Sequence, residues 1–206
     1  MLRLRLATPG DIPGLRGLIE QSVRALSEPF YTGSQIESAM RYVPDAQLIA
    51  DRTYYVIESE EGELVAAGGW SRRRTLYGGD QMKGAEDPLR EPTTEAARLR
   101  AFFVHPAWAR RGLGRQLFDR CAGEAAAAGF RKLGVRATLP GEPFYRALGF
   151  AQLERAVAPL PDGETLPVVH MTRPLSAPSL PEPGGASTAA ADSVGKVQRL
   201  TCGRGN

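Results

Sequence analysis

The chain has 206 residues, 42% hydrophobic and 24% charged, so one folded unit of roughly 100–200 residues with extra segments is expected and wholesale disorder is excluded. Cys121 and Cys202 are too few for a disulfide framework or a thiolate cage, and His105 and His170 stand too far apart for a multi-histidine site, so no metal is expected. A net charge of +3 from 26 basic and 23 acidic residues lacks a nucleic-acid binder's basic stripe. No apolar run approaches the ~20 residues of a membrane helix, and a cytoplasmic home is expected.

In chain order, Leu2, Leu4 and Leu6 alternate with Arg3 and Arg5, the pattern of a half-buried strand. Asp11 is placed to cap a helix whose apolar stripe is Ile12, Leu15, Leu18, Ile19 and Val23. Thr32 and Gln35 have capping-box spacing before Ile36 and Met40, which predicts a second helix from Thr32. Residues 54–57 and 64–67 flank the polar turn Glu60-Glu61-Gly62-Glu63 and predict an antiparallel hairpin. Residues 72–94 are polar and turn-rich, a connection of a length that is uncommon unless functional or mobile. A strand follows at 99–104, then a helix over 112–128, a strand at 133–137, a short helix at 143–148 and last strands at 150–157 and 168–171. From Pro174 to Asn206, 20 of 33 residues are Pro, Gly, Ser, Ala or Thr, so the fold is expected over 1–173 and a disordered tail over 174–206.

The chemistry concentrates in Ala109-Arg110-Arg111-Gly112-Leu113-Gly114-Arg115, which opens a helix directly after a strand. A helix N-terminus exposes unpaired N–H groups and a positive dipole end, and glycines at 112 and 114 let a pyrophosphate approach that backbone. Two glycines and three arginines alone equally describe a solvated turn. A Walker A loop is absent, and Leu117 stands where a dinucleotide fingerprint needs its third glycine.

That turn, the preceding Val104-His105-Pro106 and the downstream Pro143-Phe144-Tyr145-Arg146-Ala147-Leu148-Gly149-Phe150 together resemble the GCN5-related N-acetyltransferase (GNAT) superfamily, over residues 2–173. The family's turn is Q/R-x-x-G-x-G/A, and Ala109 departs from it at the first position. The resemblance implies an α/β fold: a mixed, mostly antiparallel central sheet with a V-shaped splay between its two central strands, and flanking helices. It implies acetyl-CoA as cosubstrate, with Phe103, Val104, Arg110, Arg111, Gly112, Leu113, Gly114, Arg115 and Thr138 as the binding residues. A backbone N–H near Phe103 or Val104 would face the oxyanion. Tyr145 would lie beside the sulfur as general acid, although by periodicity alone it reads as a packing aromatic with its hydroxyl hydrogen-bonded. The implied activity is acetyl transfer to a primary amine, of a small molecule or a protein, by direct attack, with no nucleic-acid or membrane partner and homodimerisation left open.

Many relatives carry a glutamate on a central strand, and neither 97–103 nor 134–137 contains an acid. By elimination Glu58, Asp80, Glu142 or a water chain could serve as base, and none is assigned. An asparagine common after the second strand is also missing; Thr138 or Leu139 stands there. A non-catalytic acyl-CoA-binding module is therefore the alternative. Phe30-Tyr31 and Gly68-Gly69-Trp70-Ser71 fall where the family lines its acceptor pocket and read equally as core. Arg72-Arg73-Arg74 reads as a solvated face, His105 as a structural strand end and Cys121 as an unreactive helix residue.

Overall fold

The computed structural model describes residues 1–40, 46–74, 87–160 and 162–175. Strand β1 (Arg3–Leu6) pairs antiparallel with β2 (Tyr54–Glu58), β2 with β3 (Leu64–Ser71), and β3 with β4 (Ala97–Val104). β5 (Lys132–Thr138) is parallel to β4 and antiparallel to β7 (Thr165–Pro174), which carries β6 (Ala151–Pro159) at the edge. The seven strands form one mixed, mostly antiparallel sheet of order β1-β2-β3-β4-β5-β7-β6.

Helices α1 (Ile12–Ser27), α2 (Gly33–Met40) and α3 (Ala46–Ala50) precede β2, α4 (Leu113–Ala127) crosses from β4 to β5, and α5 (Glu142–Ala147) follows β5. One sheet face buries Leu117, Phe118, Phe130, Leu133, Val135 and Tyr145 beneath α4 and α5. The opposite face buries Leu15, Leu18, Ile19, Leu48, Tyr54 and Val56 with α1 and α3. A third cluster, Tyr31, Ile36, Leu160, Leu166 and Val168, ties α2 to the open end of β6 and β7.

Two expected caps resolve differently. At α2 the Thr32 N–H donates to Gln35 Oε1 (3.1 Å) and the Gln35 N–H to Thr32 Oγ1 (3.2 Å), the reciprocal box that the spacing predicts. Asp11 makes no side-chain cap on α1. Its carboxylate turns back to the Thr8 N–H and hydroxyl and to a two-pronged contact with Arg5, because a charged partner outcompetes a lone amide. α3 is a helix that periodicity does not predict; five residues are too few to show a stripe.

The shape of β4 decides everything near the site. Its register with β3 passes from Ala67↔Phe103 to Gly69↔Arg100, so Ala101 and Phe102 together oppose Gly68. Ala101 sits at φ +54, a left-handed conformation that costs a non-glycine residue about 1–3 kcal/mol. The Tyr54 hydroxyl donates to the Ala101 carbonyl at 3.0 Å. Glycine is required opposite this bulge, since a Cβ at 68 would lie 2.9 Å from the Phe102 ring. A bulge bends its strand, and β4 pairs with β5 only from Ala97↔Leu133 to Leu99↔Val135 before the two diverge.

Residues 75–86 of the expected long connection, Asp80 among them, lie outside the described residues, as does the expected tail from 176 onward. Among the described residues no helix is long and apolar enough to cross a membrane, and no group of His, Cys, Asp and Glu could hold a metal ion.

Candidate active site

Beyond Leu99 and Val135 the splay opens into two adjoining cavities. One, of about 280 Å³, lies between β4 and β5 and reaches Thr138, Gly141, Phe144 and Tyr145. The other, of about 730 Å³, runs from the turn at Ala109–Arg115 past Phe103 and Val104 to Tyr31, Ile36 and Leu166. Phe102, Phe103, Arg136, Thr138, Gly141 and Phe144 line both, so the two form one groove through the sheet.

At one end of the groove stands the N-terminus of α4. Arg110 at φ +64 and Gly112 at φ +82 fold the backbone into a left-handed turn before the helix starts at Leu113. A Cβ at 112 would meet nothing within 4 Å, and the first residues of α4 border the larger cavity, the placement that an anion cradle requires. Gly114 serves packing: a Cβ there would press on the Phe144 ring at 3.2 Å. Arg110, Gly112, Leu113, Gly114 and Arg115 line the groove. Arg111 does not; its guanidinium lies 4.8 Å from the centre of the Trp108 ring, a cation–π contact on the outer side of the turn. The turn is anchored by His105, whose Nδ1 accepts the Ala107 N–H at 3.1 Å.

Midway, β4 presents one amide to the gap. The His105 N–H donates to the Val65 carbonyl at 2.9 Å, and in an antiparallel ladder amides alternate sides, so the Phe103 N–H faces β3 and the Val104 N–H faces the splay. Of the two expected positions, Val104 therefore supplies the inward-facing donor. It donates weakly, at 3.3 Å, to the hydroxyl of Ser22, a buried α1 residue that the sequence reading does not single out. The available signal was a polar side chain beside the apolar stripe that carries Ile19 and Val23.

Tyr145 lies where α5 meets the core, edge-on to Phe144, Phe150 and Phe102 with ring centroids 5.1, 5.6 and 6.3 Å away, and it borders the smaller cavity. Burial, with a lesser effect of Cys121, pushes its phenol well above the ordinary range, so the hydroxyl keeps its proton at any physiological pH. Burial likewise pushes the Cys121 thiol up, which leaves it inert. Tyr31, from the α1–α2 turn, spans the far end: its hydroxyl accepts the Leu139 N–H at 2.7 Å and donates to the Pro167 carbonyl at 2.8 Å.

Of the carboxylates named by elimination, Glu58 and Glu142 lie among the described residues, and both are held by arginines. Arg5 and Arg3 hold Glu58 below the usual carboxylate range, and Arg146 with Arg155 does the same to Glu142. Neither lines the groove. Phe30 is exposed, Trp70 is packed edge-on to Phe130 in the core, and neither Gly68, Gly69, Trp70 nor Ser71 borders the groove. Arg73 and Arg74 pair with Asp51 and Glu95. Arg98, Arg100 and Arg136, which do border it, went unnoticed in the sequence; the signal was arginine alternating with apolar residues on two central strands.

An acetyltransferase (GNAT) domain model matches residues 50–152, half of the chain. Among solved structures, a GCN5-related N-acetyltransferase from Rhodopseudomonas palustris aligns at 21% identity over 84% of this chain and 95% of its own, with TM-score 0.65. The PaiA N-acetyltransferase of Thermoplasma acidophilum, solved in complex with coenzyme A, aligns at 11% identity over 84% and 99%, with TM-score 0.57. YncA from Salmonella typhimurium, solved with its cofactor acetyl-CoA, aligns at 17% identity over 89% and 99%, also with TM-score 0.57. No curated protein matches the sequence. These identities establish the fold they share.

Proposed function

Because the chain belongs to the GNAT family of acetyltransferases, we propose that it transfers an acetyl group from acetyl-CoA to a primary amine by direct attack. The observation that carries this reading is the continuity of the groove, which joins the α4 cradle to Tyr145 through the gap between β4 and β5. Acetyl-CoA supplies a thioester whose carbonyl carbon the amine attacks: the C–N bond forms, the C–S bond breaks, and a proton from the amine ends on sulfur.

The rest is work for this chain's own groups. Arg110, Arg115 and the amides from Gly112 to Gly114 bind the pyrophosphate. The Val104 N–H, exchanging Ser22 for the thioester carbonyl, stabilises charge developing on that oxygen, an effect on the order of 3 kcal/mol for such donors. Phe103 and Thr138 wall the channel on either side of the gap. Tyr145, protonated and buried, gives its proton to the departing sulfur. With Glu58 and Glu142 tied to arginines, the amine releases its own proton to water in the open groove, and water returns one proton to Tyr145.

A second reading, a non-catalytic acyl-CoA-binding module, is favoured by those arginine-bound carboxylates. Steady-state thiol release with a panel of amines separates the two. The coenzyme half is tested first, by thermal unfolding with acetyl-CoA at 100 times its dissociation constant. Binding there adds about 2.7 kcal/mol and raises the midpoint; an unchanged midpoint with acetyl-CoA, free coenzyme A and longer acyl forms removes the transferase reading. A cytoplasmic home accords with a buried, unpaired Cys121, and residues 1–173 form the catalytic unit in this reading.

A further inference from the structure

Beyond the Val104 amide the larger cavity changes character. Arg110 and Arg115 mark its end at the cradle, whereas its far end is walled by apolar side chains from both sides. Register accounts for the sheet side. Val169 and Met171 face the core beneath α4, so Leu166 and Val168, alternating with them on β7, face the groove. Val168 pairs with Thr138 of β5 and with Ala156 of β6, and Leu166 pairs with Ala158 in the next row. Thr138 lines both cavities, so these rows run directly from the gap to the wall. On the helix side Ile36 of α2 packs into the same cluster as Leu166 and Val168, and Ala39, one helical turn on, borders the cavity beside it.

Tyr31 offers this wall its ring. Its hydroxyl is engaged twice with backbone, accepting the Leu139 N–H and donating to the Pro167 carbonyl, and so clamps the α1–α2 turn to β7 and to the turn after β5. Among the described residues neither Asp nor Glu lines either cavity, and a charge buried without a partner is costly. A body seated here therefore gains by burying methylenes or a ring, and a second ammonium group meets no carboxylate. The mouth indicates which substrate that body belongs to. Leu26 borders the cavity one helical turn beyond Ser22, the residue at the Val104 amide, and is 42% exposed. The wall thus opens to solvent past Val104 from the cradle, where the second substrate enters. We infer that the acceptor is a primary amine with an aliphatic or aromatic body and no second charge, seated with its body on this wall and its nitrogen at the gap beside Val104. This rests on the acetyltransferase reading and names the acceptor class within it.

The test uses the full chain and graded amines. Thiol release gives kcat/KM for ethylamine, butylamine, hexylamine and phenethylamine, and for 1,6-diaminohexane and 6-aminohexanoate, which match hexylamine in length and add a charge at the far end. Calorimetry with coenzyme A bound reads the binding of the same amines. Each added methylene is expected to raise kcat/KM about two- to fourfold, and hexylamine to be favoured about tenfold or more over both charged counterparts. Ala158→Asp, and Ala39→Asp from the α2 side, are expected to weaken use of hexylamine and improve that of 1,6-diaminohexane, with the acetyl-CoA-induced rise in Tm retained. No gain with chain length in either readout, equal or better use of a charged counterpart, or an unchanged hexylamine-to-diamine ratio in both variants overturns the proposal. So does a preference for acyl-CoA that grows with acyl length, which would give the wall to the acyl chain. Absence of the acetyl-CoA shift in the native chain instead overturns the transferase reading, while calorimetry without coenzyme still ranks hexylamine against 1,6-diaminohexane.

Discussion

The Tyr54 hydroxyl, on β2, holds the carbonyl of Ala101 on β4 at 3.0 Å, across the intervening strand β3. That carbonyl belongs to the left-handed residue of the bulge that turns β4 away from β5. Tyr54 is almost wholly buried, so Tyr54→Phe keeps the ring packing and removes the hydrogen bond to Ala101. The expected cost is about 1–3 kcal/mol in urea unfolding, because the carbonyl is left without its donor. If the bond positions the bulge, acetyl-CoA affinity falls as well; full affinity at reduced stability would confine Tyr54 to a folding role.

At the α4 cradle the two adjacent arginines are not equivalent. Arg110 borders the groove and Arg111 lies on Trp108, so Arg110→Glu is expected to weaken acetyl-CoA binding by about tenfold or more, and Arg111→Glu by clearly less. Gly112→Ala is expected to weaken it too, since φ +82 is strained for alanine. Calorimetric titration of the three variants checks the ranking, and an Arg111 effect as large as that of Arg110 would show that the stack on Trp108 opens when coenzyme binds.

Replacing Tyr145 by Phe retains the aromatic contacts with Phe144, Phe150 and Phe102. Tm is therefore expected to stay close to native while kcat falls on the order of 10²-fold. Coenzyme affinity should be preserved. Native kcat in this variant would return Tyr145 to the role of a packing aromatic.

Acid stability gives a separate test, away from the groove. Arg5 grips both oxygens of Asp11 at 2.8 Å and, against burial but with help from Thr8, lowers its carboxyl from 3.8 to about 2. A carboxyl depressed in the folded state binds its proton more readily when unfolded, so its contribution is complete above about pH 4 and is lost as pH falls toward 2. Thermal unfolding from pH 5 to 2 should show native Tm falling more steeply than that of Asp11→Asn. Parallel curves would mean that the pair contributes nothing to folding.

Local pattern made much of this legible in the chain alone. The Thr32–Gln35 box forms as its spacing demands, the hairpin around Gly62 forms, and a helix opens at Gly112 because a glycine turn can precede it, all from contacts within a few residues. The same locality carries the two motifs by which the chain resembles its family. Asp11 shows where such reasoning ends: as a cap it is locally sound, yet Arg5, brought alongside by the turn at Thr8, takes the carboxylate.

What the tertiary structure alone decided is where strands separate and which side chains then share a space. No residue near Ala101 announces a bulge, because its left-handed backbone is held by Tyr54 from two strands away. That bulge and the short β4–β5 register bring Arg98 and Arg100 into one cavity with Arg136, far along the chain from both, and strand alternation selects Val104 over Phe103 as the amide that faces the splay. Periodicity specifies the face of a strand on which a side chain stands; the partner across a gap is fixed by long-range pairing, which no window of sequence contains.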